Sequence, residues 1–123
     1  MRLLLDTRAF LWWDTHDTRL PDTHRLAIES PRNEVFVSAA TVWEIAIKRS
    51  SGKLAFGMSV AKAIEQHRFI SLPITVDHAE GAGSLPQLHR DPFDRLLVAQ
   101  AQLEGLILVT VDDQILRYAV PHL

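Results

Sequence analysis

The sequence predicts an α/β fold in which a central parallel β-sheet is flanked by helices on both faces. The apolar runs RLLLD, EVFVS, FISLPI and LILVT are of strand length and are bounded by turn or capping residues. They alternate with longer stretches of helical character, the pattern of a parallel sheet covered on both sides. No repeat, low-complexity tract or Gly-Ser linker interrupts that order, and 123 residues leave room for one folding unit, residues 1–123.

Each element follows from local chemistry. After the first strand, Ala9, Trp12 and Trp13 fall at i, i+3 and i+4 and predict a short amphipathic helix. Pro21 opens a second helix running to about Ser30, with Pro31 just past its end. EVFVS follows as the second strand. The third helix, from about Ala39 to Arg49, is apolar on most sides and stops before Ser50-Ser51-Gly52; residues 59–67 make a fourth and lead into FISLPI. The fifth helix begins at Pro92 and carries Phe93, Leu96, Leu97 and Ala101 on one face, with Val98 and Ala99 beside it. A buried central helix is expected there, with LILVT as the last strand.

Composition narrows the class. With 47% hydrophobic and 23% charged residues the chain has the makings of a packed core rather than of a disordered segment. The absence of cysteine rules out disulfides and thiolate zinc sites. The start, MRLLLDTRAF, has one basic residue and a leucine run cut off at Asp6, unlike a signal peptide, and no segment approaches the roughly 20 apolar residues of a membrane span. A cytoplasmic protein with no membrane contact is expected. The formal charge of −2 lacks the overall basic footprint common in nucleic-acid binders, so any contact with a polyanion must be local.

Four acids sit at element junctions: Asp6 ends the first strand, Glu44 lies in the first turns of the third helix, Asp94 opens the fifth, and Asp112 follows LILVT. In a parallel sheet all strand C-termini point to one edge, where ligands bind, so these four could meet. The rival reading uses the same geometry, because acids at helix N-termini accept backbone N–H bonds and complement the helix dipole, a cap contributing typically ~0.5–2 kcal/mol. Asp91-Pro92-Phe93-Asp94 reads as N-cap, N1 proline and N3 acid, and Thr41-Val42-Trp43-Glu44 has the capping-box spacing. Convergence weighs against independent caps, since clustered carboxylates repel one another unless cations intervene. Mg²⁺ or Mn²⁺ suits oxygen-only ligands. Arg8, Lys48, Arg90 and Arg95 are the alternative neutralisers, which leaves a structural ion-pair network open.

The segments LLLDTRAFLWW, VFVSAATVWEIAIKRSSGKL, FISLPIT and HRDPFDRLLVAQAQLEGLILVTVDDQI together resemble the PIN-domain family, in particular the VapC-type toxins of bacterial toxin–antitoxin pairs. The block from His89 to Ala101 is the most specific part. The resemblance implies a metal-dependent endoribonuclease that hydrolyses RNA to 5′-phosphate and 3′-hydroxyl ends, neutralised by a cognate VapB-type antitoxin. A homodimer and a toxin–antitoxin hetero-oligomer are the assemblies it implies. It assigns the family's acidic quartet to Asp6, Glu44, Asp94 and Asp112, as metal and catalytic residues; of these Asp6 and Asp94 are the candidates for direct Mg²⁺ or Mn²⁺ ligands, with Glu44 and Asp112 completing the site directly, through water, or as acceptors that orient the nucleophile. One departure is visible: family members often carry histidine two residues after the first acid, where this chain has Arg8.

Other residues are read as follows. Asp91 is the helix cap rather than a ligand. Arg90 and Arg95 either hold phosphate or balance the acids. Thr110 could hydrogen-bond a ligand carboxylate or the substrate, and Thr7 has the same potential beside ordinary turn chemistry. His89, the one histidine near the proposed site, is read as a loop residue. Trp12, Trp13 and Trp43 are assigned to the core, with partner binding the better account of any that is exposed. An antitoxin is expected to direct an Arg or Lys toward the four acids and to pack an apolar segment near the helix carrying Trp12 and Trp13. Two other classes remain compatible with the residues: a catalytically silent binding module on the same fold, and a metal-dependent phosphoesterase or DNA-directed nuclease.

Overall fold

The computed structural model describes residues 1–123. Four parallel strands form one sheet: β1 (Arg2–Leu5), β2 (Glu34–Ser38), β3 (Ile70–Leu72) and β4 (Ile107–Val109), in the spatial order β3-β2-β1-β4. Between them run α1 (Thr7–Asp14), α2 (Asp22–Glu29), α3 (Ala39–Ser50), α4 (Val60–Gln66), α5 (Val76–Ser84) and α6 (Pro92–Glu104), with a single 3₁₀ turn at Ile115–Arg117.

Strand alternation divides the core into two layers. Leu3 pairs in register with Val35 and Ile107, and Leu5 with Val37 and Val109. These residues face Phe10, Leu20, Ile28, Ile45 and Ile64 on one side of the sheet. Leu4, Phe36, Leu72 and Leu108 point the other way, onto Leu97, Val98 and Ala101 of α6. Leu3, Leu4 and Leu5 are all fully buried, each contributing about 1.5–3 kcal/mol, so β1 is buried on both faces as a central parallel strand should be. The outer edge of β4 is covered by the chain's own end, Leu108 N–H donating to Pro121 O and Leu123 N–H to Leu108 O.

The helix ends are fixed by side chains. Asp91 Oδ1 accepts from the N–H groups of Phe93 (2.8 Å) and Asp94 (3.2 Å), Pro92 takes N1, and Gly105 ends α6 in the left-handed region at φ 67°. The expected capping box at Thr41–Glu44 is not present. Helix α3 starts earlier, with Ser38 Oγ accepting from Ala40 N–H at 2.9 Å, and Thr41 is buried inside its first turn.

Helix α5 was not foreseen from the sequence. Its residues VDHAEGAGS carry little apolar periodicity, and Thr75 and His78 nucleate it through a capping box. It lies against α6, where a Cβ added at Gly81 would come within 3.2 Å of Leu103 Cδ1, so glycine permits the close approach. No helix is long and apolar enough to cross a membrane.

Candidate metal centre

The parallel strands deliver their C-terminal ends to one edge of the sheet, and Asp6, Glu44, Asp94 and Asp112 meet there. They line a single cleft of about 230 Å³ together with Thr7, Arg8, Leu11, Lys48, His89 and Asp91. Leu11 is the one apolar member of that lining.

Each acid is held differently. Asp6 follows β1 directly, is 4% exposed, and caps α1 through Oδ1, which accepts from Ala9 N–H at 2.7 Å. Glu44, 6% exposed, has both oxygens engaged: Oε1 accepts from the Thr7 hydroxyl at 2.6 Å and Oε2 from Lys48 Nζ at 2.7 Å. Asp94 lies in the first turn of α6, and His89 Nε2–H donates to its Oδ2 at 2.9 Å. Asp112 is half-buried, its Oδ1 accepting from Gln114 N–H at 2.8 Å and its own N–H donating to Thr110 Oγ1 at 3.0 Å. One donor atom each from His89, Asp94 and Asp112 lie within 4.8 Å of one another.

Burial and neighbouring charge disturb two of the acids, Asp6 and Asp94. Burial pushes the Asp6 carboxyl up to about 6, opposed by the Thr110 hydroxyl, the Ala9 N–H and the Arg8 charge, with Asp112 adding repulsion. Asp94 is pushed up to about 7, by burial first and then by the charge of Asp91, with smaller repulsion from Glu44 and Asp6 and a hydrogen bond from His89 working the other way. These carboxyls resist ionisation chiefly because burial takes them out of water, with neighbouring acids adding repulsion. A cation would relieve that strain. The donor set of carboxylate oxygens, with one imidazole alongside, fits a hard or borderline divalent ion.

The basic residues separate into distinct roles. Lys48 pairs with Glu44 inside the cleft. Arg8 is exposed at the cleft, with its guanidinium 5.8 Å from the centre of the Trp12 ring; Arg19 lies 5.2 Å from the same ring. Arg95 neither balances the acids nor is free for phosphate. It is 9% exposed and donates to the carbonyls of Ala82, Leu85, Pro86 and His89 and to the Tyr118 hydroxyl. Arg90 is exposed and outside the cleft lining.

Two readings of other side chains change. Thr7 is not merely a turn residue, since its hydroxyl reaches Glu44 and also contacts the Thr41 hydroxyl at 3.1 Å. His89, read from the sequence as a loop residue, does lie in the loop before α6 but turns its ring onto Asp94; its place next to Arg90-Asp91 was the only signal available. Trp12 and Trp13 are half-buried against the core. Trp43 is 58% exposed and stands edge-on to Phe93, with ring centres 5.4 Å apart.

Comparison with known proteins agrees with this geometry. A family model described as PIN domain matches residues 3–121. Ribonuclease VapC22 of Mycobacterium tuberculosis is 30% identical over 123 residues, covering 98% of this chain and 94% of that protein. In structure, the chain is similar to VapBC2 from Rickettsia felis bound to a DNA fragment from their promoter, with a TM-score of 0.73 at 17% identity over 100% of this chain and 98% of that one. It is also similar to a toxin–antitoxin complex from Klebsiella pneumoniae, with a TM-score of 0.66 at 21% identity over 98% and 95% of the two chains. A parallel sheet delivering four acids to one cleft, a family match across nearly every residue and a full-length ribonuclease homologue lead to one assignment: the chain belongs to the PIN-domain family.

Proposed function

We propose that this chain is a VapC-type endoribonuclease that cleaves RNA with Mg²⁺ or Mn²⁺ and is neutralised by a cognate antitoxin. The observation that carries the reading is the convergence of Asp6, Glu44, Asp94 and Asp112 in one cleft, where burial above all pushes the Asp6 and Asp94 carboxyls up. Homology to ribonuclease VapC22 supplies the substrate class.

Within this reading Asp6 and Asp94 are the direct ligands and Asp112 stands beside them, each carboxylate oriented by a protein hydrogen bond to one of its oxygens. Glu44, with Thr7 and Lys48 on its two oxygens, acts through a hydrogen-bonded water or by orienting its neighbours. When bound, the ion would polarise a phosphoryl oxygen and lower the pKa of a coordinated water. Arg8, exposed at the cleft, binds a phosphate of the RNA strand, the local cation that a chain of net charge −2 requires.

The antitoxin reading rests on the toxin–antitoxin complex among the similar structures. A basic antitoxin side chain would substitute for the missing positive charge among the acids. We place its apolar segment on the groove of about 670 Å³ lined by Val42, Trp43, Ala46, Ile64, Leu72 and Pro73, because Trp43 is the most exposed tryptophan and Glu44, the next residue of α3, faces the cleft. The position expected beside Trp12 and Trp13 is less open, since both indoles are half-buried against the core and Arg8 and Arg19 lie over the Trp12 ring.

The test is a panel of single-stranded RNA, single-stranded DNA and a small phosphoester, each incubated with the purified chain in Mn²⁺, Mg²⁺ or EDTA. RNA should be cut in metal, spared in EDTA and spared by Asp94→Asn. Cleavage of DNA or of the small ester at rates equal to RNA would assign a general phosphoesterase. No cleavage in any arm, with no metal binding, would overturn the enzymatic reading.

A further inference from the structure

We propose that His89 is a positioning residue of the metal centre: its Nε2–H fixes the Asp94 carboxylate, and Arg95 with Tyr118 holds His89 in place to do so. The inference rests on the reading of Asp94 as a metal ligand. It starts from a feature that reading does not explain, the buried guanidinium of Arg95.

A buried cation is costly unless its charge and its donors are satisfied, and a carboxylate is the usual partner. Arg95 directly follows Asp94, yet its guanidinium turns away from the cleft. It donates instead to neutral acceptors: Ala82 O at 2.8 Å, Pro86 O at 3.0 Å, Leu85 O and the Tyr118 hydroxyl at 3.1 Å, and His89 O at 3.4 Å. Four of these five acceptors are backbone carbonyls of residues 82–89, the end of α5 and the loop that leads to α6.

Tyr118 completes the arrangement from another part of the chain. Its hydroxyl donates to Pro86 O at 2.9 Å and accepts from His89 N–H at 3.0 Å. Arg117 adds a bond to Leu88 O at 2.9 Å. The loop has no ladder of its own, so these side chains supply the partners its backbone needs. Both backbone groups of His89 are therefore tied down, one by Tyr118 and one by Arg95.

With its backbone held, the His89 ring has one polar contact toward the cleft, Nε2–H to Asp94 Oδ2 at 2.9 Å. That bond occupies one carboxylate oxygen and aims the other. Partners that orient a ligating group in this way set metal affinity without touching the ion, and their loss typically costs about 10–100-fold.

The test compares Mn²⁺ binding by calorimetry in the full-length chain and in His89→Phe, His89→Gln and Tyr118→Phe, with melting temperatures in EDTA measured in parallel. Phe keeps the bulk of the ring and removes the donor. Gln restores an N–H at the reach of Nε2. The expected result is a Kd for Mn²⁺ raised about 10–100-fold in His89→Phe, returned most of the way in His89→Gln, and raised in Tyr118→Phe. A melting temperature in EDTA that barely moves in His89→Phe separates positioning from folding. Unchanged Mn²⁺ affinity in His89→Phe would overturn the inference, and so would a His89→Gln variant as weak as His89→Phe, which would make the imidazole a direct ligand. If the unaltered chain itself binds no Mn²⁺, the metal reading fails first; if it binds and the His89 variants match it, only this inference fails.

Discussion

In the absence of metal, Asp94→Asn should make this protein more stable at pH 8, not less. The Asp94 carboxyl is displaced from 3.8 to about 7, by burial first and then by the charges of Asp91, Glu44 and Asp6. At 1.36 kcal/mol per pH unit, keeping it ionised at pH 8 costs the folded chain about 4 kcal/mol relative to a neutral group. Asparagine removes the charge, keeps the shape and leaves an oxygen to accept from His89 Nε2–H. Its amide carries a desolvation cost of its own, so the net gain should be about 2–4 kcal/mol, or roughly 8–15 °C in Tm for a chain of this size. The sign with pH follows from the direction of the shift. Between pH about 4 and 7 the folded chain keeps a proton that the unfolded chain has released, so wild-type stability falls as pH rises through that window and levels off above it. Asp6, displaced upward to about 6, acts in the same sense in both proteins and largely cancels in the comparison. Urea denaturation of both proteins in EDTA at a series of pH values measures the gap directly. It should be zero or slightly reversed at pH 4, open up to pH 7 and be constant at pH 8 and above. A variant no more stable than wild type at pH 8, or a gap independent of pH, would refute the account of the cleft as electrostatically strained.

Further outcomes follow from the same geometry. Mg²⁺ or Mn²⁺ at about 100 times its Kd should stabilise the wild type by about 2.7 kcal/mol and leave Asp94→Asn near its apo melting temperature; an unchanged curve in both, with no heat of binding, would reduce the four acids to caps and ion pairs. Arg8→Ala should raise KM for single-stranded RNA more than it lowers kcat, and should flatten the plot of log affinity against log salt by about 0.7 if one phosphate contact is lost; an unaltered slope would remove Arg8 from the RNA path. Trp43→Asp should weaken binding of the cognate antitoxin at least tenfold in a titration while leaving RNA cleavage by the free chain intact, because Trp43 is exposed on the groove and absent from the cleft lining. Equal antitoxin affinity would move the interface elsewhere.

The parts of the fold that were legible in the sequence are those set by local pattern. Strand-length apolar runs gave β1 to β4 in their places, and the parallel arrangement then sent Asp6, Glu44, Asp94 and Asp112 to one edge without any contact being known. Asp91 was legible as a cap because Asp-Pro at a helix start has few other uses. What escaped depends on contacts between distant residues. Thr7 and Glu44 are 37 residues apart, and Arg95 and Tyr118 are 23 apart. Asp94 and Arg95 are neighbours, but one step of helix turns a side chain by about 100°, enough to put the acid in the cleft and the cation behind it. Helix α5 was missed because Gly81 and Gly83 lower its helical signal, while the reason for Gly81 lies on α6 in Leu103 and Ala99.

Capping and ligand binding, the two roles the sequence sets against each other for these acids, are compatible in this geometry. Asp6 does cap α1, and Asp112 does accept the Gln114 N–H of the following turn. Each of these bonds uses one carboxylate oxygen and, in doing so, fixes where the rest of the carboxylate points. Asp94 reaches the same condition through His89, because the capping duty at α6 has passed to Asp91. Glu44 differs, with Thr7 and Lys48 on its two oxygens, and it is the member with its own cation. Local hydrogen bonds thus orient the acids, and the parallel sheet supplies their proximity. Asp6 and Asp94 are both pushed well above the ordinary carboxylate range, by burial first and by acidic neighbours second. Burial is the larger cause of those values and repulsion within the cluster the smaller, Asp112 acting on Asp6, and Glu44 and Asp6 acting on Asp94, a mutual influence that caps at separate helix ends would lack.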